Sequence, residues 1–431
     1  MPYFGKLAGE FNRLTMWLDV KHEQGAKVGE IERELSRAIN AASNKVQKLK
    51  PSAKFDEPNS LAAIQKARPK GPRVIDLDLT DEQLYDKMLG AWLGRSAGCM
   101  LGIPVEGKPR AWIEGWAKKL GQNYPLSDYF KDWAGISGMH YAEPMEHFVK
   151  PNIDHVGMDD DLVYTVLGLL ILEEYGIDFT MEDVGKAWMK YLPMACTAER
   201  VALDNLKAGM KPPRTATVNN PYYEWIGADI RSDPWGYCAP GAPELAADFA
   251  WRDASVSHVK NGIYGEMYFS TAIAAAFVTD DMKKVLKIAA TEIPAKCRMA
   301  KTVKQTIRWC ETDGDWGKTH DRVMKEYEGM HPVHTLNNAA LTIMGLLYGE
   351  MDFEKTIAYT VMAGLDTDCT GATAGSIIGA MLGAKKLPKK WIRPLGDRLT
   401  TYLIGEEEQS VTKLAKRCCK VAKKARKSVE S

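Results

Sequence analysis

The sequence lacks an excess of charge of either sign, since 57 lysines and arginines balance 56 aspartates and glutamates. Proteins that bind nucleic acid usually carry a basic surface field, so this balance argues against a nucleic-acid partner. None of the eight cysteines stands in Cys-x-x-Cys spacing. The cysteine pattern argues against a zinc site or a disulfide framework and favours reduced thiols in the cytoplasm.

Long apolar runs are also missing. The longest, over residues 163–172, is too short to span a bilayer. The first residues show no apolar core of a secretory signal. Hydrophobic residues make up 45% of the chain and charged residues 26%, which is ordinary for a globular protein. We therefore expect a soluble, cytoplasmic protein with no membrane partner.

Helical patterns dominate residues 79–405, where Ala-, Leu- and Gly-rich segments alternate with short Pro/Gly breaks. Strand alternation is scarce, which predicts an all-α fold, a compact bundle of many helices. Residues 1–78 are predicted to be a helical extension with a Pro/Lys-rich linker or strap at 50–73. Its amphipathic helix at 28–49 could pack on the main body or form an oligomer. The basic tail, 406–431, is interpreted as a solvated helix, with contact to an anionic partner as the alternative.

Two clusters of carboxylates each precede a predicted helix: Asp159, Asp160 and Asp161 in the first, and Asp366 and Asp368 in the second. A single aspartate at a helix N-terminus is often only a cap. Adjacent carboxylates repel one another unless a proton or a cation lies between them. The clusters are therefore candidate sites for oxygen-ligated cations such as Mg²⁺, Mn²⁺ or Ca²⁺ rather than zinc.

A third segment repeats glycine every four residues, at Gly90, Gly94, Gly98 and Gly102. This spacing leaves one helix face bare, so that another helix can pack closely against it. Glu106 follows at the end of the same segment, where a negative charge opposes the helix dipole. That unfavourable placement suggests a function for Glu106, although a surface glutamate in a loop is the alternative.

These segments, in this order, resemble the ADP-ribosylglycohydrolase family, of the dinitrogenase-reductase-activating type, in a bacterial branch. Residues 90–106 are similar to its glycine-rich helix, and the two acidic clusters to its Thr-Asp-Asp and Asp-x-Asp metal motifs. Three further segments resemble a glycine-rich loop ending in Arg, a His-containing substrate loop and a helix start: residues 225–231, 257–265 and 334–339. The resemblance covers about residues 79–405.

The resemblance implies an orthogonal helical bundle with two divalent cations, Mg²⁺ or alternatively Mn²⁺, in a central cleft. The implied metal ligands are Asp159, Asp160, Asp161, Asp366 and Asp368, and the implied catalytic residue is Glu106. The residues implied to bind the substrate are His258, Gly262, Arg231 and Gly227. Without the resemblance, His258 is a structural histidine and Arg231 a surface ion-pair residue.

Three positions depart from the family pattern. Asp159 stands where the family usually has a metal-binding Thr, and Leu162 and Cys369 stand where Thr is frequent. A thiol is a poor ligand for Mg²⁺, so one coordination position is expected to pass to water or to Asp159. The departures leave the metal geometry and the substrate open.

The function implied is metal-dependent hydrolysis at the anomeric carbon of ADP-ribose or a related ribosyl conjugate. Its substrate would be a small molecule or an ADP-ribosylated protein. One alternative is an N-glycosidase for a nucleoside or another small ribosyl compound. A second is a non-catalytic binding or structural member of the same fold, against which the intact Glu106 and aspartates argue.

Overall fold

The computed structural model describes residues 5–50, 54–133 and 135–430, and the chain divides into two compact units, Met1–Phe55 and Asp56–Ser431. The first unit contains α1 (Gly5–Glu23) and α2 (Gly29–Gln47), and neither helix buries a side chain. The amphipathic helix predicted at 28–49 is therefore present as α2. Its proposed part in oligomerisation stays a prediction.

Helices make up nearly all of the regular secondary structure in the described part of the second unit. Its helices are α3 (Leu61–Ala67), α4 (Asp81–Gly102), α5 (Arg110–Lys119), α6 (Asp160–Tyr175), α7 (Met181–Tyr191), α8 (Thr197–Lys207), α9 (Asp233–Tyr237), α10 (Pro243–Ala254), α11 (Asn261–Ala276), α12 (Met282–Ala289), α13 (Arg298–Asp313), α14 (Trp316–Glu326), α15 (Thr335–Tyr348), α16 (Phe353–Val361), α17 (Thr367–Leu382), α18 (Lys389–Ile392) and α19 (Val411–Glu430). Short 3-10 helices lie at Ile103–Val105, Met145–Phe148, Arg214–Ala216, Ile226–Arg231 and Ala384–Lys386.

Strands are few and short in this part of the chain. Strand β1 (Met139–His140) pairs antiparallel with β2 (Glu143–Pro144), and β3 (Leu399–Thr400) pairs antiparallel with β4 (Glu408–Gln409). The prediction of a compact all-α fold is confirmed. None of the described helices is both long and apolar enough to cross a membrane.

Helix α4 begins with a capping box at Thr80. The Thr80 side chain accepts a hydrogen bond from the Gln83 backbone N–H, and the Gln83 side chain accepts one from the Thr80 N–H. This reciprocal capping box satisfies two N–H groups that a helix start otherwise leaves unpaired. It sets the first turn of the helix that carries the glycine repeat.

Helices α4 and α17 pack antiparallel along a seam of glycines. Three pairs face each other: Gly90 with Gly379, Gly94 with Gly375, and Gly98 with Gly371. A Cβ atom placed on Gly98 would lie 1.9 Å from the carbonyl oxygen of Gly371, so no side chain fits between the backbones. The bare face predicted from the glycine spacing is present. The seam brings the C-terminal end of α4 to the N-terminal end of α17.

Substitution of the seam should be strongly destabilising. Gly98→Ala should lower the free energy of unfolding by about 3 kcal/mol, because the methyl group meets a backbone carbonyl that cannot move aside. Gly115 of α5 has open space around its Cβ position and is the matched control. Gly115→Ala should raise stability by roughly 0.5–1 kcal/mol through helix propensity. Urea unfolding of both variants measures the difference in stability. Equal urea midpoints for the two variants would contradict the close packing of α4 against α17.

The predicted linker proves to be part of the second unit from Asp56 onward. Ile64 of α3 is fully buried, and Arg68 and Arg73 both form ion pairs with the buried Glu292. These contacts anchor the segment to the helical body. Residues 56–78, which were predicted to belong to the N-terminal extension, therefore lie in the second compact unit.

The tail requires a correction as well. Helix α19 packs against α4 and α6 and buries Leu414, Cys418 and Ala425. Its lysines occupy the opposite, exposed face. The interpretation as a solvated helix separate from the main domain is wrong, because the apolar stripe of α19 completes the core of the second unit.

Candidate metal centre and active site

The two acidic clusters meet in the folded chain. Helices α6 and α17 both start at this point, with Asp159 and Asp366 in their N-cap positions. Four groups of three side chains have ligand atoms within 4.8 Å of one another: Asp159, Asp160 and Asp161; Asp161, Asp368 and Cys369; Glu106, Asp366 and Asp368; and His140, Asp159 and Asp368. Side chains from distant parts of the sequence thus form one continuous cluster.

Asp161 and Asp368 carry oxygen atoms that the surrounding protein does not satisfy. The buried Oδ2 of Asp161 and Oδ1 of Asp368 have no hydrogen-bond partner among the described residues. Burial, followed by neighbouring carboxylates, raises the pKa of both groups well above the usual range. Buried anionic oxygens are costly unless something compensates them. Carboxylate oxygens are the donors that Mg²⁺ and Mn²⁺ prefer, so this cluster could hold divalent cations.

Arg95 of α4 orients the Asp161 side chain by hydrogen bonds. Its buried guanidinium donates to Asp161 Oδ1 at 3.0 Å, to the Asp161 carbonyl at 2.7 Å and to Thr165 Oγ1 at 2.8 Å, and pairs with Asp233 at 2.6 Å. One oxygen of Asp161 is thereby held while the other stays available. Arg95 was not predicted from the sequence, although a single charge in the apolar, glycine-rich stretch was a usable signal.

Asp159 faces the cluster even though it caps α6. Its Oδ1 accepts a hydrogen bond from the Asp161 N–H at 2.8 Å, and its Oδ2 lies 2.7 Å from Nε2 of His140. Despite the burial of the imidazole, Asp159 raises the pKa of His140. His140 comes from β1 and was not predicted, because no motif or spacing in the sequence links it to the acidic clusters.

Glu106 is brought to Asp366 by backbone hydrogen bonds. The Gly107 N–H donates to the Leu365 carbonyl at 2.8 Å, and the Leu365 N–H donates to the Lys108 carbonyl at 3.3 Å. Leu365 has a φ of 65°, a left-handed conformation that is unusual without glycine and is found at functional sites. Glu106 keeps an exposed side chain, yet nearby protein atoms and the Asp366 carboxylate raise its pKa to about 7.

Arg231 lies in a buried ion-pair network. Its guanidinium pairs with Glu199, with Asp253 at 2.6 Å and with Glu266 at 3.6 Å, and the residue is 1% exposed. It is therefore not a surface residue, and its guanidinium is engaged in these ion pairs. Burial, Asp159 and Glu199 raise the pKa of Asp160, which links this network electrostatically to the acidic cluster.

Gly227 and Gly262 are glycines for packing reasons. A Cβ on Gly227 would lie 2.3 Å from Oε1 of Glu199, and a Cβ on Gly262 would lie 2.6 Å from the Tyr223 carbonyl and 2.8 Å from Cδ2 of His258. His258 is itself fully buried. Burial and the charge of Arg231 lower its pKa well below the usual value, which keeps the imidazole neutral. These residues therefore form a packed wall around Glu199.

Comparison with known proteins decides the family. The sequence model described as ADP-ribosylglycohydrolase matches residues 80–427, which is most of the chain. The chain belongs to the ADP-ribosylglycohydrolase family. The match extends into α19, in agreement with the burial of that helix, and the first unit lies outside it. Family membership supports a hydrolase activity of the glycohydrolase type.

A solved structure agrees with the family at the level of the fold. It is named an ADP-ribosylglycohydrolase-related protein complex and is similar with a TM-score of 0.53 and 19% sequence identity. The likeness covers 80% of this chain and 99% of that chain. No match was found among curated protein sequences.

Proposed function

We propose that the protein is a divalent-cation-dependent glycohydrolase that cleaves the bond at the anomeric carbon of ADP-ribose or a related ribosyl conjugate. The observation that carries the proposal is the convergence of buried, unpartnered carboxylate oxygens beside the exposed Glu106. The cations would be Mg²⁺ or Mn²⁺, and their proposed ligands are Asp159, Asp160, Asp161, Asp366 and Asp368.

Bound cations would supply positive charge that binds the ribose hydroxyls and lowers the pKa of a water molecule. Glu106 is exposed beside these ligands and is the proposed proton-transfer group. In the reaction, the water oxygen bonds to the anomeric carbon, the bond to the leaving group breaks, and the leaving group takes up a proton. A glutamate whose pKa lies near neutrality suits either direction of that transfer. With the cations bound, the ligand aspartates would be ionised, because a carboxylate must lose its proton to coordinate a metal.

The packed wall has a supporting part in the proposal. Arg231, which pairs with Glu199 and Asp253, would keep the Glu199 carboxylate in position, and the charge of that carboxylate raises the pKa of Asp160. His258, Gly227 and Gly262 would keep this wall closely packed next to the ribosyl group. Their contribution is therefore to position the site rather than to react.

The substrate is tested by mass-spectrometric turnover of ADP-ribosyl-arginine, ADP-ribosyl-serine and common nucleosides, each with Mg²⁺ and with EDTA. We expect release of the acceptor from at least one ADP-ribosyl conjugate with Mg²⁺, and its loss with EDTA, because chelation removes the charge that compensates the carboxylates. Turnover of nucleosides alone would replace the proposal with an N-glycosidase. Equal rates in Mg²⁺ and EDTA would contradict the metal dependence. Cation binding without any turnover would favour a non-catalytic member of the fold.

A further inference from the structure

A thiol lies inside the acidic cluster. Cys369 is in the first turn of α17 and is 6% exposed. Its Sγ and one carboxylate oxygen from each of Asp161 and Asp368 lie within 4.8 Å of one another. Both aspartates also carry a buried oxygen without a hydrogen-bond partner. The thiol thus stands beside two carboxylates that each have one unpartnered oxygen.

The donor sets of the cluster differ in chemical character. The group formed by Glu106, Asp366 and Asp368 offers oxygen alone, which suits Mg²⁺. The group that contains Cys369 combines sulfur with oxygen, and sulfur selects softer cations such as Zn²⁺ over Mg²⁺. No other cysteine belongs to such a group in the part of the chain that the structure describes. The cluster therefore contains an all-oxygen donor group suited to hard cations and a sulfur-containing donor group suited to softer cations.

We infer that the position beside Cys369 is a thiophilic metal site, held by the Cys369 sulfur and the carboxylates of Asp161 and Asp368. The cations that this site would bind are Zn²⁺, Cd²⁺ or Co²⁺. On binding, the thiol releases its proton to solvent and a sulfur–metal bond forms. Arg95 leaves Oδ2 of Asp161 available for the same cation. The inference rests on the proposed function only in that both place divalent cations in this cluster.

The test is a titration of the full chain with CdCl₂, followed by the ultraviolet thiolate-to-Cd²⁺ charge-transfer band and by the melting temperature. The parent should show a saturable band and a rise in melting temperature. Cys369→Ser keeps a small polar side chain but removes the sulfur, so it should lose the band. Its Cd²⁺ affinity should fall by about tenfold or more. The rise in melting temperature produced by MgCl₂ should be retained.

Cys418→Ser is the matched control, since Cys418 is also buried and lies near the thiols of Cys238 and Cys419. It should keep the parent band. A band that survives in Cys369→Ser, or disappears in Cys418→Ser, overturns the inference. Stabilisation by MgCl₂ without any Cd²⁺ band overturns it too and leaves the proposed function standing. The absence of any effect of either salt overturns both. Cys369→Ala replaces the serine variant if circular dichroism shows that the latter does not fold.

Discussion

Glu106→Gln should lower turnover of a ribosyl conjugate by about 10²–10⁴-fold, because the amide keeps the shape of the side chain but cannot transfer a proton. The amide also keeps one oxygen that can face a cation. The stabilisation that Mg²⁺ gives to the parent should therefore change little. Steady-state kinetics and melting curves with and without Mg²⁺ measure the two effects on the same preparations.

Glu114→Gln is the control for this substitution. Glu114 lies on α5 and pairs with Lys118 at the surface, so its loss should leave the rate unchanged. A Glu106→Gln variant that retains the parent rate would show that Glu106 is only a loop residue. Equal losses of turnover and of Mg²⁺ stabilisation would instead make Glu106 a metal ligand together with Asp366 and Asp368, with which its oxygen is grouped.

Asp368→Asn should separate two effects of the cluster: the folding free energy that its crowded carboxylates cost, and the Mg²⁺ affinity that they provide. Asp368 belongs to three of the four groups, and burial followed by its carboxylate neighbours raises its pKa well above the usual range. A raised carboxyl pKa means that ionisation at neutral pH costs folding free energy. In EDTA the variant should therefore be at least as stable as the parent. Its Mg²⁺ affinity should fall by roughly 10–100-fold, and turnover should fall with it.

Asp397→Asn is the control, because it should lower stability in EDTA, where Asp368→Asn should not. The Asp397 carboxylate accepts hydrogen bonds from the Thr412 N–H at 2.7 Å and from the Ser410 hydroxyl at 2.7 Å at the start of α19. Its loss should cost about 1 kcal/mol in EDTA, as for a helix cap, and should leave the Mg²⁺ effect intact. Thermal unfolding of both variants with EDTA and with Mg²⁺ gives the comparison. An Asp368→Asn variant that gains as much from Mg²⁺ as the parent would exclude Asp368 as a ligand.

Features of the site that depend on neighbours in the chain could be predicted from the sequence. The acidic clusters do stand at the N-termini of α6 and α17. A helix start is set by groups within three or four residues, so the neighbouring sequence is enough to predict where a helix begins. The bare glycine face was predictable for the same reason, although its partner was not.

Features that depend on burial of charge were not predictable in this way. Without the resemblance, Arg231 was expected at the surface, and it lies buried among three carboxylates. The basic tail was expected in solvent, and its apolar stripe completes the core. A charged or amphipathic pattern shows that a face exists but not what covers it, because the covering element is distant in sequence.

By itself, the sequence determined the helical class, the starts of the helices that carry the acidic clusters, and the close-packing face of α4. The family resemblance already implied that the five aspartates and Glu106 share a site, and only the tertiary structure added Arg95 and His140 to it. Arg95 and Asp161 are 66 residues apart, and His140 and Cys369 come from opposite sides of the acidic motifs in sequence. The glycine seam sets the approach of α4, which carries Arg95, to α17, which carries Cys369, by backbone contact. Such long-range packing selects one arrangement among the many that local patterns allow.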